Sequence, residues 1–391
     1  MIQIEKKEQC SGCSACAKRC PKHAIKMEKD REGFYYPAIE KSLCVECGLC
    51  EMVCPQTHPA VCSKETQVYA CYRNDFGKRL KSASGGIFAV MAEYVLRMGG
   101  VVFGAAFDEQ WNLKHIGIEK IDQLPILQGS KYVQSVIGET YRQAEEALKN
   151  GRIVLFSGTP CQIQGLHCFL GKQYENLISV DMICHGVPSN DIWQLYLAEI
   201  SKGRKLLSFT QRDKSEGIGN APLVFEFENG DIIREKYNSN IYISGFRKNL
   251  YLRPSCHVCS FKGFNRCSDL TIGDFWGLAD YKPEFGDQYG ISVLLIHTLR
   301  GKSIFDDIQD EITAVECEPD MISPQNPCIL TPVEPHIYRE KFFEECTQKG
   351  FYTTVKQLLR PSTKERFKKK FEIPMYYLWV VKNKLKNKEK L

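Results

Sequence analysis

The sequence predicts an α+β chain: a small cysteine-rich N-terminal unit followed by a mixed α/β body. Three observations carry the prediction. One cysteine pattern occurs twice within residues 1–60, apolar strand-like runs alternate with amphipathic helical ones from residue 68 onward, and the chain is 391 residues long. Roughly 330 residues remain after the first unit, enough for a core of ordinary size.

The N-terminal pattern reads "CSGCSACAKRCP", which sets Cys10, Cys13, Cys16 and Cys20 ahead of Pro21. It returns as "CVECGLCEMVCP", with Cys44, Cys47, Cys50 and Cys54 ahead of Pro55. This is the Cx2Cx2Cx3CP run that wraps a 4Fe-4S cubane. A zinc ribbon uses two separated CxxC pairs rather than two triplets, and a disulfide scaffold needs an oxidising compartment. The duplicated run resembles the bacterial two-cluster ferredoxin. In that family the fourth cysteine of each run crosses to the other cluster. The resemblance therefore implies one cubane on Cys10, Cys13, Cys16 and Cys54, and another on Cys44, Cys47, Cys50 and Cys20. So small a unit has little apolar core, and its clusters are expected to be its main staple.

The start, "MIQIEKKEQC", is charged and has no apolar stretch of the signal-peptide kind, and no run reaches the length of a membrane span. With nineteen cysteines, that composition is expected of a cytoplasmic protein whose sulfurs are ligands and free thiols. The net charge is +5, but residues 361–391 hold ten Lys or Arg against Glu365, Glu372 and Glu389, which leaves the rest slightly acidic. The tail, "FKKKFEIPMYYLWVVKNKLKNKEKL", fits either a terminal helix packing its aromatics on the body or a weak contact with an anionic membrane surface. No nucleic-acid partner is expected.

In the body, "GGVVFGAAF", "RIVLFSG", "NLISVDMIC", "PLVFEFENG" and "DLTIGDFWG" read as strands. "IFAVMAEYVLRM" and "DIWQLYLAEI" read as helices, and a partly parallel sheet is expected. Three places carry more than core residues. In "KSASGGIFAV", Ser82, Ser84, Gly85 and Gly86 precede a helix, where free amides suit a phosphate; an ordinary helix start accounts for them equally well. In "GRIVLFSGTPCQIQGL", Thr159, Pro160 and Gln162 form a helix N-terminus with Cys161 in its first turn, where the dipole favours a thiolate. In "VDMICHGVPS", Cys184 ends a strand; if the two strands are parallel neighbours, both cysteines face the crevice at the carboxyl edge of the sheet. Downstream, "RPSCHVCSFKGFNRC" adds Cys256, Cys259 and Cys267.

Together with "GSKYVQS" at 129–135, these stretches resemble the family of beta subunits of coenzyme F420-reducing hydrogenase and dehydrogenase, which includes a plant reductase of 7-hydroxymethyl chlorophyll. The likeness runs over about residues 68–320. It implies a ferredoxin unit at 1–60, a family domain in two parts at 68–145 and 146–320, and a C-terminal extension at 321–391. It also implies FAD near Ser84, Gly85, Gly86 and Lys131, and a third 4Fe-4S cluster on Cys161, Cys184, Cys256 and Cys259. Cys267 stays a competing ligand. The expected activity is a flavin-dependent iron–sulfur oxidoreductase that exchanges hydride with the deazaflavin F420 or another small organic substrate and single electrons with a redox partner protein. No GxGxxG follows a strand, since "GIGNAP" lies in a polar loop, so a nicotinamide site is unsupported. Two other classes remain: a non-enzymatic polyferredoxin-like relay, and a thiol redox pair at Cys256 and Cys259, which would call for a helix start at that point.

Overall fold

The computed structural model describes residues 1–360 apart from 64, 216 and 220. The basic aromatic tail, and any surface contact made through it, lie outside the described residues. Among these, no helix is long and apolar enough to cross a membrane.

In the N-terminal unit an antiparallel hairpin, β1 (Ile25–Lys29) and β2 (Tyr35–Ile39), is flanked by two short helices, Ala15–Arg19 and Leu49–Met52. The sequence duplication persists in the backbone. Gly12 and Ser14 have φ of 71° and 66°, and their counterparts Glu46 and Gly48 have 52° and 74°. Each loop thus turns left-handed on both sides of its second cysteine, curling the chain around a common point. All four lie in the left-handed region that bulky side chains disfavour; three carry Gly, Ser and Gly, and Glu46 takes the fourth. The unit's own core is small: Cys16, Ala17, Ile25 and Cys50, with Ile2, Cys20, Met27 and Ile39 against them.

The body is built on one eight-stranded sheet and one three-stranded sheet. In chain order its strands are β3 (Gln67–Arg73), β4 (Val101–Phe107), β5 (Leu113–Ile118), β6 (Val154–Ser157), β7 (Leu177–Met182), β8 (Leu206–Thr210), β9 (Leu223–Phe227), β10 (Ile232–Glu235), β11 (Leu270–Asp274), β12 (Ser292–Ile296) and β13 (Ile312–Cys317). The large sheet runs β13-β3-β12-β11-β7-β6-β4-β5. Its centre, β4, β6, β7 and β11, is parallel, and every other pairing is antiparallel. The fold is therefore the mixed α/β body expected, with strands from residues 68–145 and 146–320 interleaved in one sheet.

β4 and β6 are covered on both faces, which is why they read as apolar runs. Val102 and Leu155 face the helix Ile87–Arg97, while Val101, Phe103, Val154 and Phe156 face the helices Thr140–Lys149 and Pro160–Leu170. The strand read in "PLVFEFENG" is β9, which belongs to the small sheet β10-β9-β8. An aromatic core of Trp193, Tyr196, Tyr242, Tyr251 and Phe351 joins this sheet to its helices.

Candidate functional site

The N-terminal cysteines divide into two groups by position, and the division crosses the two sequence runs. Cys10, Cys13 and Cys16 are buried together, and Cys54 of the second run lies beside Cys10 and Cys16. Burial, then the neighbouring sulfurs, pushes the Cys16 thiol up to about 12. Cys20, the last of the first run, instead lines a cavity with Cys44, Cys47 and Cys50, walled by Ile25, Ile39 and Leu49.

In the body, β6 and β7 are parallel neighbours, so Cys161 and Cys184 both stand at the carboxyl edge of the sheet. The helix Pro160–Leu170 begins as its sequence predicts: proline occupies the first turn, and the Thr159 N–H donates to Gln162 Oε1 at 3.0 Å. Cys256 and Cys259 come from the 3₁₀ turn Pro254–Val258 and the residue after it, not from the start of an α-helix. All four sulfurs converge: Cys161 is near Cys184 and Cys259, Cys256 is near Cys161 and Cys259, and Cys184 is near Cys256 and Cys259.

The expected acidification of Cys161 does not occur. Burial outweighs the helix N-terminus and pushes its thiol up to about 12, as it does for Cys184 and Cys256. Without a metal these groups are neutral thiols packed against one another. Ligation by iron supplies the positive charge that would let them ionise, so the donor set fits an iron–sulfur cluster and offers little to a lone nucleophile.

The two sets of cysteines meet through one helix. A Cβ on Gly165 would sit 2.8 Å from Cys13 Cβ and 3.0 Å from its Sγ, so only glycine lets the helix bearing Cys161 approach the N-terminal loop this closely. Cys13 and Cys161 are near enough to repel as thiolates.

Sequence reading missed the residue that ties this junction. Arg253, 1% exposed, donates from Nε to the Cys10 carbonyl at 2.9 Å and from Nη2 to the Tyr35 carbonyl at 2.9 Å. Its Nη1 reaches Gln134 Oε1 at 3.0 Å, and the guanidinium lies 4.5 Å from the centre of the Tyr36 ring. A lone arginine ahead of a proline gives no periodic signal. Around it, Lys18–Glu139 (2.6 Å), Lys29–Asp191 (2.5 Å) and Glu32–Arg339 (2.5 Å) link the N-terminal unit to the body at its rim.

Cys267 does not join the four body cysteines. It lies against Cys62, in the segment that follows the N-terminal unit.

Ser84, Gly85, Gly86 and Lys131 come from two loops that touch where Gln128 Nε2 donates to Ser82 Oγ at 3.4 Å. Several donors of the turn are already used. Ser84 Oγ donates to the Ile291 carbonyl at 3.1 Å, and the Gly85 N–H donates to Ser292 Oγ at 3.0 Å. Gly85 is required by packing, because a Cβ there would lie 2.5 Å from the Cys71 carbonyl oxygen of β3. The Lys131 ammonium donates to the carbonyls of Leu127, Gln128 and Gly129 at 3.0, 2.7 and 3.3 Å, and burial pulls its pKa down to about 7.

A third loop, absent from the sequence reading, closes the place. Lys214, 1% exposed, donates to the Ser84 carbonyl and, at 2.9 Å, to that of Tyr289; burial, with Arg79 and Arg212 nearby, also lowers it to about 7. Arg79 and Arg212 have carboxylate partners in Asp287 and Asp274, each at 2.7 Å. Among the described residues the two ammonium groups donate only to carbonyls, and burial favours their neutral form; an anion bound here would favour the charged form, so the corner fits an anionic ligand.

Comparisons with known proteins follow the same division of the chain. Residues 9–57 match the model of the 4Fe-4S dicluster domain, and residues 151–320 match that of the C terminus of the coenzyme F420 hydrogenase/dehydrogenase beta subunit. The F subunit of F(420)H(2) dehydrogenase from Methanosarcina mazei is 21% identical over 346 residues, covering 81% of this chain and 87% of that protein. Coenzyme F420-dependent sulfite reductase of Methanocaldococcus jannaschii is 24% identical over 306 residues, covering 75% of this chain and 45% of that longer protein. A solved structure of the F420-reducing [NiFe] hydrogenase complex from Methanosarcina barkeri aligns with a TM-score of 0.44 at 16% identity, over 76% of this chain and 91% of that one. Residues 151–320 are thus related to the C-terminal part of coenzyme F420 hydrogenase/dehydrogenase beta subunits, and with the 4Fe-4S dicluster domain before them the chain is an iron–sulfur, oxidoreductase-like electron-transfer protein.

Proposed function

We propose that this chain is a flavin-dependent iron–sulfur oxidoreductase, exchanging hydride with F420 or a similar small organic molecule at one end and single electrons with a protein partner at the other. Cys10, Cys13, Cys16 and Cys54 would hold one cubane, Cys20, Cys44, Cys47 and Cys50 a second, and Cys161, Cys184, Cys256 and Cys259 a third. When bound, these clusters pass single electrons and FAD converts between hydride and single-electron transfer. The observation that carries the reading is the position of Cys161, whose sulfur neighbours Cys13 on one side and Cys259 on the other. The helix holding it is pressed against the N-terminal loop at Gly165, which sets the body site beside the dicluster unit.

The chain's own residues do the positioning. Arg253 spans the junction by donating to the Cys10 carbonyl, and its fixed positive charge beside Cys10, Cys161 and Cys256 favours their ionised, metal-bound form. Lys262 braces the other side, donating to the carbonyls of Cys184 and Cys328 at 2.6 and 2.8 Å. Lys131 and Lys214 would face the anionic part of a dinucleotide such as FAD, with Ser84, Gly85 and Gly86 forming the turn beside it. The relatives' names supply the choice of F420 as the hydride partner.

Two measurements test the reading. Anaerobically purified protein should contain about twelve iron and twelve acid-labile sulfide, and Cys161→Ser should remove about one third of the iron while leaving the spectra of the N-terminal clusters in place. About eight iron in the parent protein removes the body cluster. Heat-released flavin, identified by chromatography, should be FAD at about one per chain. Intact iron without flavin would leave a protein-to-protein electron relay in place of the enzyme.

A further inference from the structure

Seven of the nineteen cysteines have no place in the three sets above, and two of these seven are neighbours from distant parts of the chain. Cys62 and Cys267 lie within hydrogen-bonding reach of each other's sulfur. The pairing is built by the backbone. The Ser63 N–H donates to the Arg266 carbonyl at 2.9 Å, and Thr66 Oγ1 donates to the Phe264 carbonyl at 3.1 Å, so the two segments run side by side.

A side chain holds Cys62 from the opposite direction. Gln164, 6% exposed, accepts the Ala60 N–H at 2.9 Å and donates from Nε2 to Cys62 Sγ at 3.2 Å. Cys62 is partly exposed, as is Cys267, so a small molecule can reach the pair.

We propose that Cys62 and Cys267 form a redox-active dithiol that is oxidised to a disulfide by exchange with low-molecular-weight disulfides, clamping the segment after the N-terminal unit onto the body. The polarity of the pair is set by its surroundings. Hydrogen bonding to Cys267 and Gln164, with Arg266 nearby, brings the Cys62 thiol down to about 7, while Cys267, beside Cys62 and Asp181, is pushed up. Cys62 is the attacking sulfur. It displaces one thiol from the small disulfide and forms a mixed disulfide. The Cys267 sulfur, losing its proton, then attacks Cys62 and releases the second thiol. Two protein thiols are oxidised, one small disulfide is reduced to two thiols, and no net proton is gained or lost. The step is independent of flavin and of the three cysteine sets.

The test uses full-length protein with its iron–sulfur complement, reduced and treated anaerobically with oxidised glutathione. After alkylation and digestion, mass spectrometry should find the peptide of Cys62 joined to that of Cys267, with iron content unchanged and the link reversed by dithiothreitol. Protease cleavage between residues 56 and 66 should slow several-fold once the link forms, because the segment is tied at both ends. Cys267→Ser should leave a single glutathione adduct on Cys62, and Cys168→Ser should keep the cross-link. A stable glutathione adduct on Cys62 in the parent protein, a bond from Cys62 to Cys168, or no reaction at either sulfur overturns the proposal. The parent-protein result decides it even where a variant fails to fold.

Discussion

The N-terminal unit and the body gather cysteines in opposite ways. In the first, eight sulfurs lie within residues 10–54, and the apolar core beneath them is a handful of side chains. In the second, four sulfurs come from residues 161, 184 and 256–259, and a two-faced parallel sheet brings them together. The first arrangement has little apolar core of its own to order it. In the second the sheet itself sets the geometry, and burial pushes the Cys161, Cys184 and Cys256 thiols up.

The widest gap between the two should open on iron removal. Chelation under reducing conditions should collapse amide-exchange protection across residues 10–54, while β4, β6 and β7 stay protected. Equal loss in both regions would mean that the body too depends on its cluster.

Arg253→Met strikes the seam between them. Removing the guanidinium leaves the Cys10 and Tyr35 carbonyls and Gln134 without their donor, a loss of about 3 kcal/mol. Urea unfolding should show the N-terminal unit separating at lower denaturant than the body. A single unchanged transition would make Arg253 incidental to the seam.

Gly165→Ala tests the same seam more gently. The new Cβ falls 2.8 Å from Cys13 Cβ, and overpacking of this kind costs about 1–3 kcal/mol. Electron transfer between the body and the N-terminal clusters should slow, with iron content and flavin unchanged. A parent-like rate would show that the close approach is packing alone.

The smallest effect belongs to the lysine corner, within the body itself. Below pH 7 the Lys131 ammonium is charged both in the folded and in the unfolded chain. Between its folded value of about 7 and the ordinary 10.5, the unfolded chain holds the proton more tightly, so stability rises with pH across that window. In flavin-free protein the urea midpoint should climb from pH 7 to 10, and Lys131→Met should flatten the climb. Identical pH profiles would place Lys131 in water.

The same contrast explains what the sequence could say. The eight N-terminal cysteines are legible because their information is local, a spacing short enough for one loop to satisfy. The strands β4, β6 and β7 announce themselves as largely apolar runs because both their faces are covered. The outer strands β3, β12 and β13 passed unread: β3 joins the sheet only through β12 and β13, more than two hundred residues away in the chain. Cys161 and Cys184 could be placed at one sheet edge only on the condition that their strands were parallel neighbours, which they are. Arg253 and Lys214 had no such route. Each is a single polar residue in a loop, and its role comes from carbonyls 75 to 243 residues away.

The N-terminal unit is lopsided in a way that gives it a front and a back. Cys13 is buried where the unit meets the body, whereas Cys47, in the other half of the duplication, is exposed. Among the described residues, the Cys47 end is therefore the more open approach for a diffusing one-electron carrier. Traffic through such a unit has a fixed port of call, and changing carriers would mean repainting that exposed rim while leaving the inner joint untouched.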